Sequence, residues 1–295
     1  FKGLVNRFKN CKKIENWYVS PSGKIVDPFK CLNKVFEMNE FTFFRMMNEY
    51  RQEVKESGNV FREIWETLSE LIEEPNPQYG HLYTIKRFLA QIPGNSILHV
   101  ANSNSIRVVQ HFKILPSVDV HCNRGTDGID GSMSSMIGQA SSTDKIVFLM
   151  IGDLSFFYDM NALWNRHVGK NVRILLNNNG GGAIMHMPKR PDFAAEHLPN
   201  FISAKHSTSA RAWAIDRGFK YLTASTREEV EEQMQIFTNE KTERPIIFEV
   251  FSDMLEDTEI LKGYYQDIKR DTLEEKLRKR AGVVKRKIYS ILGRS

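Results

Sequence analysis

Cysteine is scarce in this sequence, with three in 295 residues, at Cys11, Cys31 and Cys122. Their number is odd, their spacing is wide and no Cys-x-x-Cys occurs, which excludes a disulfide framework and a cysteine-built zinc site. They read as reduced thiols. No apolar run approaches the ~20 residues that span a bilayer, and the start lacks the regions of a signal peptide. A cytoplasmic address is the expectation. Repeats and low-complexity stretches are missing, and the eight histidines keep no metal-ligand spacing. His186 alone follows a motif closely enough to face a substrate; the others, His81 and His206 among them, read as structural or solvated. No nucleic-acid-binding module is recognisable, so no nucleic acid partner is expected.

What is present is an ordinary globular balance, 41% hydrophobic and 26% charged with a net charge of +5. The length permits one large domain or two smaller ones around a sizeable core. The charge is unevenly spread: residues 276–294 hold eight basic side chains and no acidic one. Leu273, Leu277, Ala281, Val284, Ile288 and Ile291 fall on one helical face there, which predicts a basic amphipathic helix over 269–295. Such a helix packs on a neighbouring subunit or makes a peripheral membrane contact on anionic lipid. The first residue is Phe1 rather than Met, which makes a piece of a longer chain the expectation.

Residues 1–74 mix aromatic and charged side chains and end in an amphipathic pattern over 60–72, with Phe61, Ile64, Leu68, Leu71 and Ile72 at three- and four-residue spacing. Glu74-Pro75-Asn76-Pro77 breaks that helix, because each proline denies its predecessor the helical region. A domain boundary is expected there. From 75 to 268, short apolar runs at 97–101, 118–122, 146–151, 172–176 and 246–251 alternate with helix-length segments. That alternation predicts an α/β fold, a doubly wound and mostly parallel sheet flanked by helices. Ligands bind such sheets at the carboxyl ends of the strands.

Two motifs sit at those ends. Gly152-Asp153-Leu154-Ser155 follows the run 146–151, and Asn177-Asn178-Asn179-Gly180-Gly181-Gly182 follows the run 172–176. A carboxylate and a carboxamide on adjacent strand ends supply hard oxygen ligands for Mg2+, a cation that shares its shell with phosphates. The glycines let backbone groups approach an anion closely. Either motif alone would read as a turn. Together, about 25 residues apart, they predict a metal-bridged diphosphate site.

That pairing resembles the signature of thiamine-diphosphate enzymes. The longer wording Gly152-Asp153-Leu154-Ser155-Phe156-Phe157-Tyr158-Asp159-Met160-Asn161-Ala162-Leu163 is similar to one family among them, the menaquinone-pathway synthases that add a succinyl-semialdehyde unit to isochorismate. Asn123-Arg124-Gly125-Thr126-Asp127-Gly128-Ile129-Asp130-Gly131 and Asn102-Ser103-Asn104-Ser105-Ile106-Arg107 resemble the same family, and the likeness covers residues 60–265. It implies thiamine diphosphate with Mg2+ or Mn2+ as cofactors, the metal being held by Asp153, Asn178 and the carbonyl of Gly180. It puts the organic cofactor against Asn123, Gly128, Gly152, Leu154, Ser155 and Gly181, with Ile129 as the wedge that bends it. It assigns Ser103, Arg107 and Arg124 to carboxylates of 2-oxoglutarate and isochorismate, a task that suits the planar, permanently charged guanidinium.

The implied transferase reaction is decarboxylation of 2-oxoglutarate followed by conjugate addition to isochorismate, with no side-chain nucleophile. The resemblance also implies a homo-oligomer, dimer or tetramer, with the cofactor between subunits. One departure is large: the family's pyrimidine-binding domain and its activating glutamate have no place in this chain, since residues 1–74 resemble only the end of the central domain. The chain is therefore expected to be the C-terminal part of a longer synthase, or half of a split enzyme with a complementing pyrimidine-domain chain, and to lack full activity alone. Two other readings compete, a subunit or fragment of another thiamine-diphosphate 2-oxoacid decarboxylase and a non-catalytic cofactor-binding module. A second departure, Gly182-Ala183-Ile184-Met185, leaves open whether Ile184 or Met185 packs at the active site.

Overall fold

The computed structural model describes residues 9, 14–53, 60–70, 73–125, 128–187 and 198–270. Among them the chain divides between Ser69 and Glu70 into two compact units. In the first, strands β1 (Asn16–Val19) and β2 (Leu32–Phe36) pair in parallel and are followed by helices α1 (Glu40–Glu53) and α2 (Val60–Ser69). The Asp27 carboxylate holds the return between the strands by accepting from the backbone N–H groups of Cys31 and Leu32, at 3.1 and 3.2 Å. Trp17, Phe36 and Phe43 stack into a small aromatic cluster, with ring centroids 5.0–6.3 Å apart. Helix α2 begins where the periodicity predicts and ends at Ser69; Leu71 and Ile72 lie outside the described residues.

The second unit runs α3 (His81–Leu89), β3 (Ile97–Val100), α4 (Asn104–Val109), β4 (Asp119–Cys122), α5 (Ser132–Ala140), β5 (Val147–Gly152), α6 (Asp153–Tyr158) and β6 (Val172–Asn178). It continues through α7 (Arg211–Asp216), β7 (Lys220–Ala224), α8 (Arg227–Phe237), β8 (Ile246–Phe251) and α9 (Met254–Arg270). The six strands form one sheet in the order β4-β3-β5-β6-β8-β7, and each pairing is parallel. The α/β class read from the apolar runs is therefore observed. Strand β7 is the one the runs did not predict. Its residues Lys220-Tyr221-Leu222-Thr223-Ala224 are mixed in polarity because it is an edge strand, paired only with β8.

Side-chain alternation along the central strands builds two cores. Leu98, Phe148, Met150, Leu175 and Phe248 face α3, α8 and α9 on one side. Ile97, Leu149, Ile151, Ile174, Leu176 and Ile247 face α5, α6 and α7 on the other. At the amino end of β6 the buried Arg173 guanidinium donates to the carbonyls of Lys170 (2.5 Å) and Val172 (3.0 Å) and to the Thr242 hydroxyl (2.6 Å). Burial pushes its pKa down to about 10. Among the described residues no helix is long and apolar enough to cross a membrane. Of the basic helix predicted over 269–295, only Lys269 and Arg270, at the end of α9, are among the described residues.

Phe237 is fully buried and its ring meets Phe88, Phe148 and Phe248 at 5.6–5.8 Å. Truncation leaves a cavity that close-packed neighbours cannot fill, so Phe237→Ala is expected to lower stability by about 3–5 kcal/mol. Equilibrium urea denaturation checks this; a loss under about 1 kcal/mol would mean that the aromatic cluster is not the packed centre of this core.

Candidate functional site

The chain enters the sheet at β3, steps outward to β4, then returns to the other side of β3 as β5. The direction of winding reverses there, which opens a crevice between the carboxyl ends of β3 and β5. Asn102 and Ser103 leave the sheet on one side of it, Gly152 and Asp153 on the other. Next door, Gly152 of β5 pairs in register with Asn177 of β6, so the Asp153 and Asn178 positions emerge side by side.

Asp153 ties these ends together. Its Oδ1 accepts from the N–H of Leu154 at 2.7 Å, and its Oδ2 accepts from the N–H groups of Asn179 at 3.1 Å and Gly181 at 2.9 Å. Gly181 reaches this position with φ +150°, and a Cβ there would lie 2.7 Å from the Ser203 carbonyl oxygen. Gly180 has φ +77°, and its carbonyl accepts from the His206 N–H at 3.0 Å. The His206 ring returns to the same carboxylate, Nε2 lying 3.3 Å from Asp153 Oδ2. Bonding to Asp153 raises the pKa of His206 against the opposing effect of burial.

The three consecutive asparagines do different things. Strand parity turns Asn178 toward the α5–α7 face, where Nδ2 donates to Glu249 Oε1 at 2.7 Å and to the Thr208 carbonyl at 2.8 Å. Its Oδ1 accepts from the Gly180 N–H at 3.2 Å. Asn179 donates through Nδ2 to Asp257 Oδ2 at 3.0 Å, and Asp257 Oδ1 in turn accepts from the His81 N–H at 2.8 Å. Asn177 is 3% exposed, yet neither end of its carboxamide has a partner.

The crevice contains a cavity of about 120 Å³ lined by Ser103, Ile129, Gly152, Asp153, Leu154, Ser155 and Gly181 from the residues expected at the site. Ile184 and Met185, left open in the sequence, both line it, as do His81, Asn104, Asn177 and Asn179. Asn178 and Gly180 line the neighbouring depression with His206 and Thr208. The three expected metal ligands thus flank one loop from two sides. Ile129 is held by its carbonyl, which accepts from the Ser155 hydroxyl. Gly128 and Arg124 border the site through Asn102, whose Nδ2 donates to the Gly128 carbonyl at 2.9 Å and whose Oδ1 accepts from Arg124 Nη1 at 2.6 Å. Asn123 donates to the Gly131 carbonyl and the Ser135 hydroxyl, at 3.0 and 2.7 Å, and does not line the cavity. Nor does Arg107; burial raises the pKa of Tyr265 against the charge of Arg107. His186 is engaged with the Ser203 hydroxyl at 2.8 Å.

Sequence reasoning missed His81, whose buried Nε2 has no partner at the cavity wall and whose pKa burial lowers. It also missed His206, Glu249 and Asp257. Buried polar atoms without partners are rare in folded proteins, because each costs about 1–3 kcal/mol. His81 Nε2, the Asn177 carboxamide and Asn104 Oδ1 all belong to residues lining one cavity. They fit a polar ligand that brings both donors and acceptors. Asp153, Asn178 Oδ1 and the Gly180 carbonyl, each with an unused lone pair, fit a hard divalent cation in donor type. Among the described residues no group of three or more His, Cys, Asp or Glu converges to hold a metal.

No protein-family model matches the chain. It is 40% identical over 269 residues to the 2-succinyl-5-enolpyruvyl-6-hydroxy-3-cyclohexene-1-carboxylate synthase of Phocaeicola vulgatus, a match that covers 91% of this chain and 48% of the relative. The synthase of the same name from Bacteroides thetaiotaomicron is 42% identical over 258 residues, covering 87% of this chain and 46% of the relative. That of Flavobacterium johnsoniae is 32% identical over 267 residues, with 87% and 46% coverage.

Over most of its length the chain is similar to one part of synthases of this name. It spans about half the length of the curated relatives it matches. The family read from the Gly-Asp-Leu-Ser and Asn-Arg-Gly wording is thus the one the relatives carry by name.

The glycine loop of this chain has little steric freedom. Gly181→Ala combines a positive φ with a close approach to a backbone oxygen and is expected to cost about 1–3 kcal/mol or more. Gly138→Ala, in helix α5 with open space around the added Cβ, is the control and is expected to be neutral or stabilising by up to about 1 kcal/mol. Chemical denaturation of the two variants compares them directly; equal stabilities would contradict the tight packing of the loop.

Proposed function

We propose that this chain supplies the metal- and diphosphate-binding part of a 2-succinyl-5-enolpyruvyl-6-hydroxy-3-cyclohexene-1-carboxylate synthase that uses thiamine diphosphate with Mg2+ or Mn2+. The observation that carries this reading is the Asp153 carboxylate gathering the Asn-Gly loop at the sheet's switch point, in a chain about 40% identical to synthases of that name. In the proposal the metal is held by Asp153, Asn178 Oδ1 and the Gly180 carbonyl. The diphosphate lies against the backbone of Gly152, Leu154, Ser155 and Gly181, and Ile129, Leu154 and Ile184 supply the apolar wall for the organic rings. Once bound, the cofactor supplies an electron sink for loss of CO2 from 2-oxoglutarate.

The protein's own part is binding, orientation and charge neutralisation. Arg124, tethered to Asn102, is assigned to a substrate carboxylate, which it can grip through two charge-assisted hydrogen bonds. Ser103, on the cavity wall, is likewise assigned to a substrate carboxylate. Arg107 keeps a carboxylate role in the proposal, and Asn123 and Gly128 frame the wedge loop. Isochorismate is the acceptor. The pyrimidine-binding region and its activating glutamate come from the part of the synthase that this chain does not span or from a complementing chain, within a homo-oligomer. Residues 1–74 are read as the end of a central domain, and this chain alone is expected to be inactive. A cytoplasmic address accompanies the reading, and segment 269–295 is read as a subunit or membrane-surface contact.

Asp153→Ala removes the acceptor for three backbone N–H groups and the one carboxylate among the proposed metal ligands. In the complete enzyme it is expected to abolish Mg2+-dependent binding of thiamine diphosphate in calorimetric titration, together with consumption of isochorismate in the presence of 2-oxoglutarate. Unchanged affinity with Mg2+ would overturn the metal assignment. A complete enzyme that binds the cofactor but leaves isochorismate untouched would overturn the reaction.

A further inference from the structure

A carboxamide is nearly symmetric in shape, but only its oxygen can bind a cation. A residue such as Asn178 is therefore useful at a metal only if something fixes which end faces it. We propose that Glu249 is the positioning residue that sets the orientation of the Asn178 carboxamide; the proposal rests on the reading of Asn178 as a metal ligand.

Glu249 is fully buried in β8. Asn178 Nδ2 faces its Oε1 at 2.7 Å and the Thr208 carbonyl at 2.8 Å. Both are obligate acceptors when the glutamate is ionised. Turning the carboxamide over would set Oδ1 against two oxygens and lose both hydrogen bonds, so Oδ1 is kept on the side of the Gly180 N–H. Glu249 cannot turn to follow. Its two oxygens each accept from the Ala210 N–H at 3.1 Å, and its Oε2 accepts from the Ser209 and Tyr221 hydroxyls at 2.8 and 2.7 Å. These are neutral donors from the residues just before α7 and from the edge strand, so the carboxylate is held from two elements besides Asn178.

A purely structural role, in which Glu249 only ties β8 to α7, would be indifferent to the chemistry at position 178. Exchanging the two groups separates the alternatives. In Asn178→Asp a second carboxylate meets Glu249 across 2.7 Å. In Asn178→Asp/Glu249→Gln the hydrogen bond is restored with its polarity reversed, because the new amide donates to Asp and leaves its other oxygen for the metal. The remaining oxygen of the new glutamine still accepts from Ala210 and Tyr221.

The test is calorimetric titration of the complete synthase with thiamine diphosphate, with and without Mg2+, with melting of the cofactor-free variants as a check on folding. Asn178→Asp alone is expected to weaken Mg2+-dependent binding by about tenfold or more, and the double exchange to recover a clear part of that loss, because the Thr208 carbonyl, 2.8 Å from Nδ2 in the parent, still faces an Asp oxygen. If the double exchange binds no better than the single one, or the single one binds like the parent, the positioning role is wrong. Asn178→Ala distinguishes this from failure of the underlying reading. Unchanged Mg2+-dependent binding there removes Asn178 from the metal and the proposal with it, whereas loss of binding there without recovery in the double exchange removes Glu249 alone.

Discussion

The Asp153 carboxylate is the point on which the candidate site depends. Two parallel strands end side by side, β5 running into the first turn of α6 and β6 into the glycine loop, and the N–H groups there have left the sheet's ladder. Asp153 collects three of those donors, from Leu154, Asn179 and Gly181. Both of its oxygens accept backbone donors, and the chain segments that supply them are held together by it. Gly180 and Gly181 adopt positive φ because the loop has to curl around that carboxylate within reach of Ser203 and His206.

Two further buried acids repeat the pattern one layer out. Asp257 accepts from the His81 N–H, the Asn179 side chain and the Ser252 hydroxyl. It thereby joins the start of α3, the glycine loop and the end of β8. Glu249 does the same on the opposite face for Asn178, Ala210 just before α7, and β7. The loop between β6 and the residues beyond it is therefore clamped from both faces of the sheet. Side-chain parity decides which asparagine meets which acid, and Asn177 is left over with an unpartnered carboxamide at the cavity wall. Rigid loops and unsatisfied polar atoms in one crevice are what a site built for a polar ligand requires.

Much of this was legible in the amino-acid sequence, for physical reasons. The central strands are buried on both faces, so 146–151 is continuously apolar, and 97–101 and 172–176 are broken only by His99 and Arg173; all three stand out. Edge strand β7 is half solvated, mixes Lys220 and Thr223 with Leu222, and did not. The motifs at the strand ends led to Asp153, Gly181, Ile129 and Ser103, all of which line the cavity. The division of labour among Asn177, Asn178 and Asn179 was not legible, because strand parity and the last hydrogen-bonded residue decide it. Glu249 and Asp257 stand 71 and 78 residues from the asparagines they hold and belong to no local pattern. His81 and His206 were passed over for the same reason: only the folded chain brings them to the crevice.

A crystal structure of the complete enzyme grown with thiamine diphosphate and Mn2+ tests the account most directly, since the anomalous signal of Mn2+ locates the metal independently of the protein phases. One peak is expected within about 2.0–2.4 Å of a carboxylate oxygen of Asp153, Asn178 Oδ1 and the Gly180 carbonyl. Asn178 Nδ2 is expected still to face Glu249. A peak held by other residues, or a bound cofactor with Asp153 still committed only to its loop, would contradict the account.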